Sequence, residues 1–182
     1  PISVSADDLA DSCLVIQSVG LQTDIITGHV IDLDASYAVI ESAVTGGRLK
    51  CVHFDSSSAA QPKETLNLLL RTPLAIVDLS AGLPDVLILL GLRHGLRPAQ
   101  TLLLAEEKYR IPSELSALRV LRYKHGGGDL SNHEATRLRS ELGRWLVEAK
   151  KIPVWISPVY AALPNLRPPV RRPPAPEPET LA

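Results

Sequence analysis

Residues 73–97 read PLAIVDLSAGLPDVLILLGLRHGLR, and this stretch decides the fold. Leu74-Ala75-Ile76-Val77-Asp78 is an unbroken apolar run closed by an aspartate, the signature of a strand buried on both faces. Leu79 to Leu83 form a short loop, and Pro84, suited to a first helical turn, opens a helix. A buried strand thus delivers polar groups to its C-terminal end, beside an arriving helix N-terminus. In open α/β sheets that edge is where ligands bind.

The same alternation extends in both directions. Cys13-Leu14-Val15-Ile16 reads as a first strand, residues 17–33 as a long loop, and Asp34 as the N-cap of a helix stopped by Gly46-Gly47. Leu49 to Phe54 make a second strand ending at Asp55, and Lys63 to Leu70 a second helix. After the opening stretch come a fourth strand, Thr101 to Ala105, and a short fifth, Leu118 to Leu121. Asn132 caps a last helix running to Ala149, with Ala135, Leu138, Leu142, Trp145 and Leu146 as its apolar stripe. Strand and helix in alternation predict a five-stranded parallel sheet covered on both faces. Right-handed crossovers then favour a three-layer, flavodoxin-like order 2-1-3-4-5. The organisation expected is a loosely ordered lead-in (1–11), the α/β domain (12–150), an extended segment packing through Trp155 and Tyr160 (151–169), and a disordered proline-rich tail (170–182). That tail offers a Pro-Pro-Ala-Pro element to a proline-recognising domain, or is a solvated linker.

Composition narrows the function. A formal net charge of −1 with no long single-sign block excludes a broad nucleic-acid footprint. The longest apolar run, Val86 to Leu92 with Gly91 counted, is far short of the roughly 20 residues that span a bilayer. With no secretory pattern either, the expected location is cytoplasmic. Aromatic residues are only 4%, so aliphatic side chains must fill the core. The absence of Met fits a processed product or a domain of something longer. Cys13 and Cys51 head apolar runs and read as buried free thiols.

Asp78 either contacts a ligand hydroxyl or amine, or caps the loop that follows it; Ser80 carries the same two readings. Asp55, Asp85 and Glu106 are expected at the same edge, with Ser18 in the first loop. Arg93 is read either as a clamp on a ligand anion or as a structural pairing to a neighbouring loop or subunit, with His94 beside it. The scattered histidines make no metal motif, Gly126-Gly127-Gly128 lacks the Lys-Ser/Thr of a phosphate loop, and no cofactor is implied. Apolar on every side, the third helix (Val86-Leu87-Ile88-Leu89-Leu90) should be buried all round or meet another protein.

Four stretches in order carry a resemblance: Cys13 to Ile16 with Ile31-Asp32-Leu33-Asp34 and Tyr37; Val77-Asp78-Leu79-Ser80; Leu90 to Gly95; and Ser157-Pro158-Val159-Tyr160 with Leu163 to Pro169. Together they resemble the nucleoside deoxyribosyltransferase-like, or deoxyribohydrolase-like, domains related to TIR domains. The nearest branch in character is the bacterial one found with tetratricopeptide arrays and related to the region beside the TRAF-binding part of apoptosis-signal-regulating kinases. That resemblance implies cleavage or transfer at an N-glycosidic bond, with a glutamate stabilising an oxocarbenium-like sugar. Aligned on Gly91 and Arg93, the glutamate falls on Leu89 and the preceding tyrosine on Ile88. The first loop, Gln17-Ser18-Val19-Gly20, and Leu83 depart as well. The resemblance therefore implies a catalytically inactive nucleotide-sensing or protein-interaction module in a bacterial signalling or defence protein. The alternative it leaves is an active nucleoside or nucleotide N-glycosidase using Asp85 or Asp78. A nucleotide or nucleoside ligand and a protein partner or homo-oligomer are the partners expected, with neither nucleic acid nor membrane.

Overall fold

The computed structural model describes residues 9–24, 27–55, 62–151 and 156–169. Along the chain come β1 (Ser12–Gln17), a hairpin of β2 (Leu21–Thr23) and β3 (Val30–Asp32), α1 (Leu33–Gly46) and β4 (Lys50–Asp55). Then follow α2 (Pro62–Arg71), β5 (Leu74–Asp78), α3 (Pro84–Leu96), β6 (Thr101–Glu106), β7 (Val120–Tyr123), α4 (Asn132–Lys151) and α5 (Pro158–Ala162). The main sheet has the order β4-β1-β5-β6-β7, with every neighbouring pair parallel. Counted among the sheet strands alone this is 2-1-3-4-5, the three-layer order expected.

Period-2 alternation builds the layers. Cys13 and Val15 of β1, Leu74 and Ile76 of β5, and Leu102 and Leu104 of β6 point to one face. There they meet Ile40 and Val44 of α1 and Leu138, Leu142, Trp145 and Leu146 of α4. The intervening residues, Leu14, Ile16, Ala75, Val77, Leu103 and Ala105, pack on the other face against Leu69 of α2 and Val86, Leu89 and Leu90 of α3. A sheet covered on both sides leaves no polar face, which is why β1, β5 and β6 read as continuous apolar runs. Cys13 and Cys51 lie opposite each other in the β1–β4 register as free thiols.

Several local expectations change. Residues 17–33 include the β2–β3 hairpin as well as loop, and Ile31 is its buried residue. The N-cap of α1 is Asp32, whose carboxylate accepts the Asp34 N–H at 3.0 Å. At α4 the Glu134 N–H donates to Ser131 Oγ at 3.2 Å, so Ser131 caps the helix start rather than Asn132. The C-terminal segment includes the short helix α5, and Tyr160 Oη donates to Gly95 O at 2.9 Å. From the lead-in, Leu9 is buried and its carbonyl accepts from Ser12 Oγ at 2.7 Å. Trp155 and the tail at 170–182 lie outside the described residues. Among the described residues no helix is long and apolar enough to cross a membrane.

Candidate functional site

The C-terminal edge of the sheet gathers a buried polar cluster. Asp78, last residue of β5, is 3% exposed. Its Oδ1 accepts the Ser80 N–H at 3.0 Å and also meets Ser80 Oγ. Its Oδ2 accepts from Tyr123 Oη at 2.8 Å and, at 3.5 Å, from Ser36 Oγ. Ser80 Oγ lies 2.8 Å from Tyr123 Oη and accepts the Glu106 N–H at 2.7 Å. Gln17 Nε2 completes the cluster by donating to Ser36 Oγ and Leu33 O, each at 2.8 Å.

Proton counting favours a protonated carboxyl. Asp78, Ser80 and Tyr123 form a closed ring of three oxygen–oxygen contacts. The serine and the tyrosine bring one proton each, so an ionised Asp78 would leave one contact with lone pairs facing each other. A protonated Asp78 supplies the third. Burial raises its pKa above the ordinary carboxylate value, against the lowering pull of the Ser80 and Tyr123 hydrogen bonds and of His125. Burial also pushes the Tyr123 phenol up, with the neighbouring Asp78 adding to it. Burial thus favours the protonated form of a carboxyl that ties β5, β7 and α1 together, and the loop-capping reading of Asp78 and Ser80 is the one this geometry carries.

Above this ring the crevice between β1 and β5, where the strand order reverses, is plugged. Ile31 of β3, Leu33 of α1 and Ala81 of the β5 loop form a buried apolar cluster, with Leu83 against it. The α1 N-terminus beside it is also occupied. Asp32 caps it, Asp34 Oδ1 accepts the Gly20 N–H at 2.9 Å, and Leu33 N–H donates to Gly20 O at 3.0 Å. His125 holds the same turn: Gly127 N–H donates to its Nδ1 at 3.0 Å, so Nε2 carries the proton and donates to Asp32 O at 2.9 Å. Tyr109 closes the far side by packing on Gly82, where φ is +64° and an added Cβ would sit 3.0 Å from the Tyr109 ring.

The structure thus joins Asp78 and Ser80 directly and adds Gln17, Ser36 and Tyr123, which sequence reasoning missed. Tyr123 ends the observed β7 but lies two residues past the fifth strand expected at Leu118 to Leu121, and nothing in the sequence singled out Ser36. Ser18 is buried beside Gln17. Asp55 ends β4 opposite Gln17, and Asp85 lies half-buried in the first turn of α3. Arg93 lies at the opposite edge. Its guanidinium, fully buried, donates to Leu69 O at 2.5 Å, Thr72 O at 2.8 Å, Pro73 O at 3.1 Å and Thr101 Oγ1 at 3.2 Å. It clamps the end of α2 to α3 and the start of β6. Leu89 is 7% exposed and part of the core between α3 and the sheet. Among the described residues no group of His, Cys, Asp and Glu could hold a metal ion.

No family model matches the sequence, and no curated protein matches it. Solved structures do match by fold. A diflavin flavoprotein A3 from Nostoc sp. superposes with a TM-score of 0.51 at 14% identity, covering 78% of this chain and 97% of that one. A flavodoxin-like domain from Synechococcus sp. gives 0.52 at 12% identity, covering 75% and 99%. The fold is flavodoxin-like. These neighbours overturn the resemblance to deoxyribosyltransferase-like and TIR-related domains. The N-glycosidase-derived module falls with it, as does an active N-glycosidase on Asp85 or Asp78. The physical reason is that the four short stretches are pieces of common elements: the body of β1, the start of α1, the end of β5, the second half of α3 and the capped helix α5. Such elements recur in doubly wound parallel sheets and do not by themselves carry a chemistry.

Proposed function

We propose that this chain is a flavodoxin-like assembly domain whose working surface is the outer face of α3, not the crevice at the sheet edge. The inside-out polarity of α3 carries this reading. Its Arg93 and His94 are buried, while its exposed residues are Pro84, Ile88, Gly91, Leu92 and Gly95, none of them polar. Ile88 is 63% exposed and Leu92 41%. Of the two expectations for this helix, burial all round or contact with another protein, the first is corrected here, because its second apolar stripe has no cover among the described residues. α2, which packs on α3, adds Leu66 at 43% exposure.

Gly91 and Gly95 give the patch its meaning. A Cβ at either position would meet nothing within 4 Å, so the packing of the chain on itself does not demand glycine there. Glycine inside a helix costs about 1 kcal/mol relative to alanine. Two such residues on an exposed face leave room for another backbone to approach. Ile88 and Leu92 are protrusions and Gly91 and Gly95 recesses on one face, four residues apart in each pair. That pattern is self-complementary, so a second copy of this chain across a two-fold axis is the occupant it fits. A standard interface buries ~800 Å² per partner, and one helix face supplies less, so the dimer is a weak one.

Sedimentation velocity over a wide concentration range tests this. The wild type should shift from monomer to dimer as concentration rises. Ile88→Asp should remain monomeric with an unchanged Tm, since its side chain is exposed. A wild type that stays monomeric throughout, or an Ile88→Asp variant that still dimerises, would refute the assignment.

The names of the fold neighbours raise flavin as a second reading, and the residues here do not fit it. Ile31, Leu33 and Ala81 fill the switch-point crevice. Asp32 and Asp34 occupy the α1 N-terminus, where a phosphate would need backbone donors and would meet two carboxylates. The buried orphan among the described residues of that cluster, Gln17 Oε1, is an acceptor and cannot serve a phosphate either.

A further inference from the structure

The turn between β7 and α4 clasps the residue from which the crevice plug hangs. Asp32 lies between Ile31 and Leu33, two of the three buried plug residues. Its N–H donates to Gly127 O at 2.7 Å, and its carbonyl accepts from His125 Nε2 at 2.9 Å. Gly127 N–H closes the loop by donating to His125 Nδ1 at 3.0 Å. Gly127 has φ +100°, and a Cβ there would stand 3.5 Å from Val30 O, so the turn lies directly against β3. His125 is 5% exposed, whereas Gly126 and Gly128, on either side of Gly127, are open to solvent. The two ring contacts need one nitrogen that donates and one that accepts, a pair that the neutral imidazole has and the imidazolium lacks.

We infer that residues 125–127 are a pH-sensitive strap: with His125 neutral they hold Asp32, and with it the Ile31–Leu33–Ala81 plug, over the switch-point crevice, and a proton on the ring releases them. Histidine is the side chain that ordinarily changes charge between about pH 5 and 8. In the imidazolium both nitrogens carry a proton, so Nδ1 would meet the Gly127 N–H donor to donor at 3.0 Å. Turning the ring over does not relieve this, because either nitrogen then presents a proton. Glycine lets the peptide rotate away at no Cβ penalty, and solvent at the turn takes up the freed N–H. A closed strap that rejects the proton and an open one that accepts it shift toward the open form as pH falls.

The groups around the ring do not oppose its charge. Asp78 of β5 is near enough to feel it, and Tyr123 of β7 meets the ring edge-on with centroids 6.3 Å apart. Asp32 and Asp34 stand at the start of α1, and Asp129 closes the turn by accepting Gly126 N–H on its carbonyl at 3.1 Å. From α4, Glu134 accepts the Lys124 N–H and pairs with Arg137, while the Lys124 ammonium turns to Glu107 at 3.9 Å. Burial raises the Asp78 pKa, so the contribution of that carboxyl to folding grows as pH falls, the opposite of what the strap does. The strap is separate from the outer face of α3 and does not depend on it.

Amide hydrogen exchange followed by NMR on the full chain, from about pH 7 to about pH 5 and corrected for the intrinsic pH dependence of exchange, reads the strap. Labelling histidine with ¹⁵N reports the charge of the His125 ring in the same samples. Protection of the Asp32 N–H should fall at least about tenfold on acidification, in step with protonation of His125, while Ile76, fully buried in β5, keeps its protection. His125→Gln retains a donor and an acceptor but no titrating group, so the loss at Asp32 on acidification should vanish in that variant. The proposal is overturned if Asp32 stays protected at the acid end, if the His125 ring is still neutral there, or if the loss persists in His125→Gln. An equal loss at Ile76 overturns it too, since the whole fold would then be opening. Independently of any variant, the midpoints of ring protonation and of the loss at Asp32 must coincide in the wild type, and separate midpoints refute the strap.

Discussion

Replacing Asp78 with Asn separates a neutral buried acid from a buried anion. In the ring, Asn can place its oxygen where Oδ1 accepts from Ser80 N–H and Ser80 Oγ, and its amide where Oδ2 meets Tyr123 Oη and Ser36 Oγ. The Tyr123 proton then turns to Ser80 Oγ, and every contact retains a donor. If Asp78 is protonated, Asp78→Asn therefore keeps the hydrogen-bond count and costs under about 1 kcal/mol. If Asp78 is ionised, the substitution removes several charge-assisted bonds worth ~1.5–3 kcal/mol each. The pH profile sharpens the contrast. A folded-state pKa above the unfolded value means that the native state binds more protons between the two. The Asp78 contribution is then complete below the unfolded pKa of about 3.9 and lost as pH rises through the folded value. Within that window the wild type should lose up to about 1.4 kcal/mol per pH unit relative to Asp78→Asn. Urea denaturation of both proteins at a series of pH values measures it. A variant destabilised by more than about 3 kcal/mol at pH 7, with a pH profile parallel to the wild type, would refute the neutral-acid ring.

Arg93→Met should lower stability by at least about 3 kcal/mol, a fall in Tm of roughly 6–12 °C, because three backbone carbonyls at a fully buried site lose their donor. Arg93→Lys should rescue little, since one ammonium cannot reach α2 and β6 together; a Tm near wild type for either variant would show that the clamp is dispensable. Adding FMN should leave both the Tm and the flavin fluorescence unchanged, and saturable quenching would show that the Ile31–Leu33–Ala81 plug opens.

How far the sequence could be read follows from which interactions are local. Leu74 to Asp78 reads as a strand and Pro84 as a helix start because burial pattern and backbone preference act over a few residues. The order of the sheet follows from the handedness of crossovers. The hairpin at 21–32 escaped because three-residue strands carry too little pattern, and its stability comes from Ile31 packing under Leu33 and Ala81. The candidate site was only half legible. Asp78 and Ser80 are neighbours in the chain, whereas Tyr123 and Ser36 reach the same carboxyl from 45 and 42 residues away.

The stretch from Pro73 to Arg97 determined, by itself, that a buried strand feeds a helix at the edge of a parallel sheet. Only the tertiary structure decided what that edge does. Asp78 ranks as an exposed ligand contact or a buried acid according to whether Tyr123 arrives to complete the ring. The choice between the two readings of Arg93, and between the two readings of the helix that carries Ile88, was made in the same way. Solvation depends on what the rest of the chain places nearby: carbonyls from the end of α2 and its connection to β5 drew the guanidinium inward, while nothing in the described chain came to cover the isoleucine.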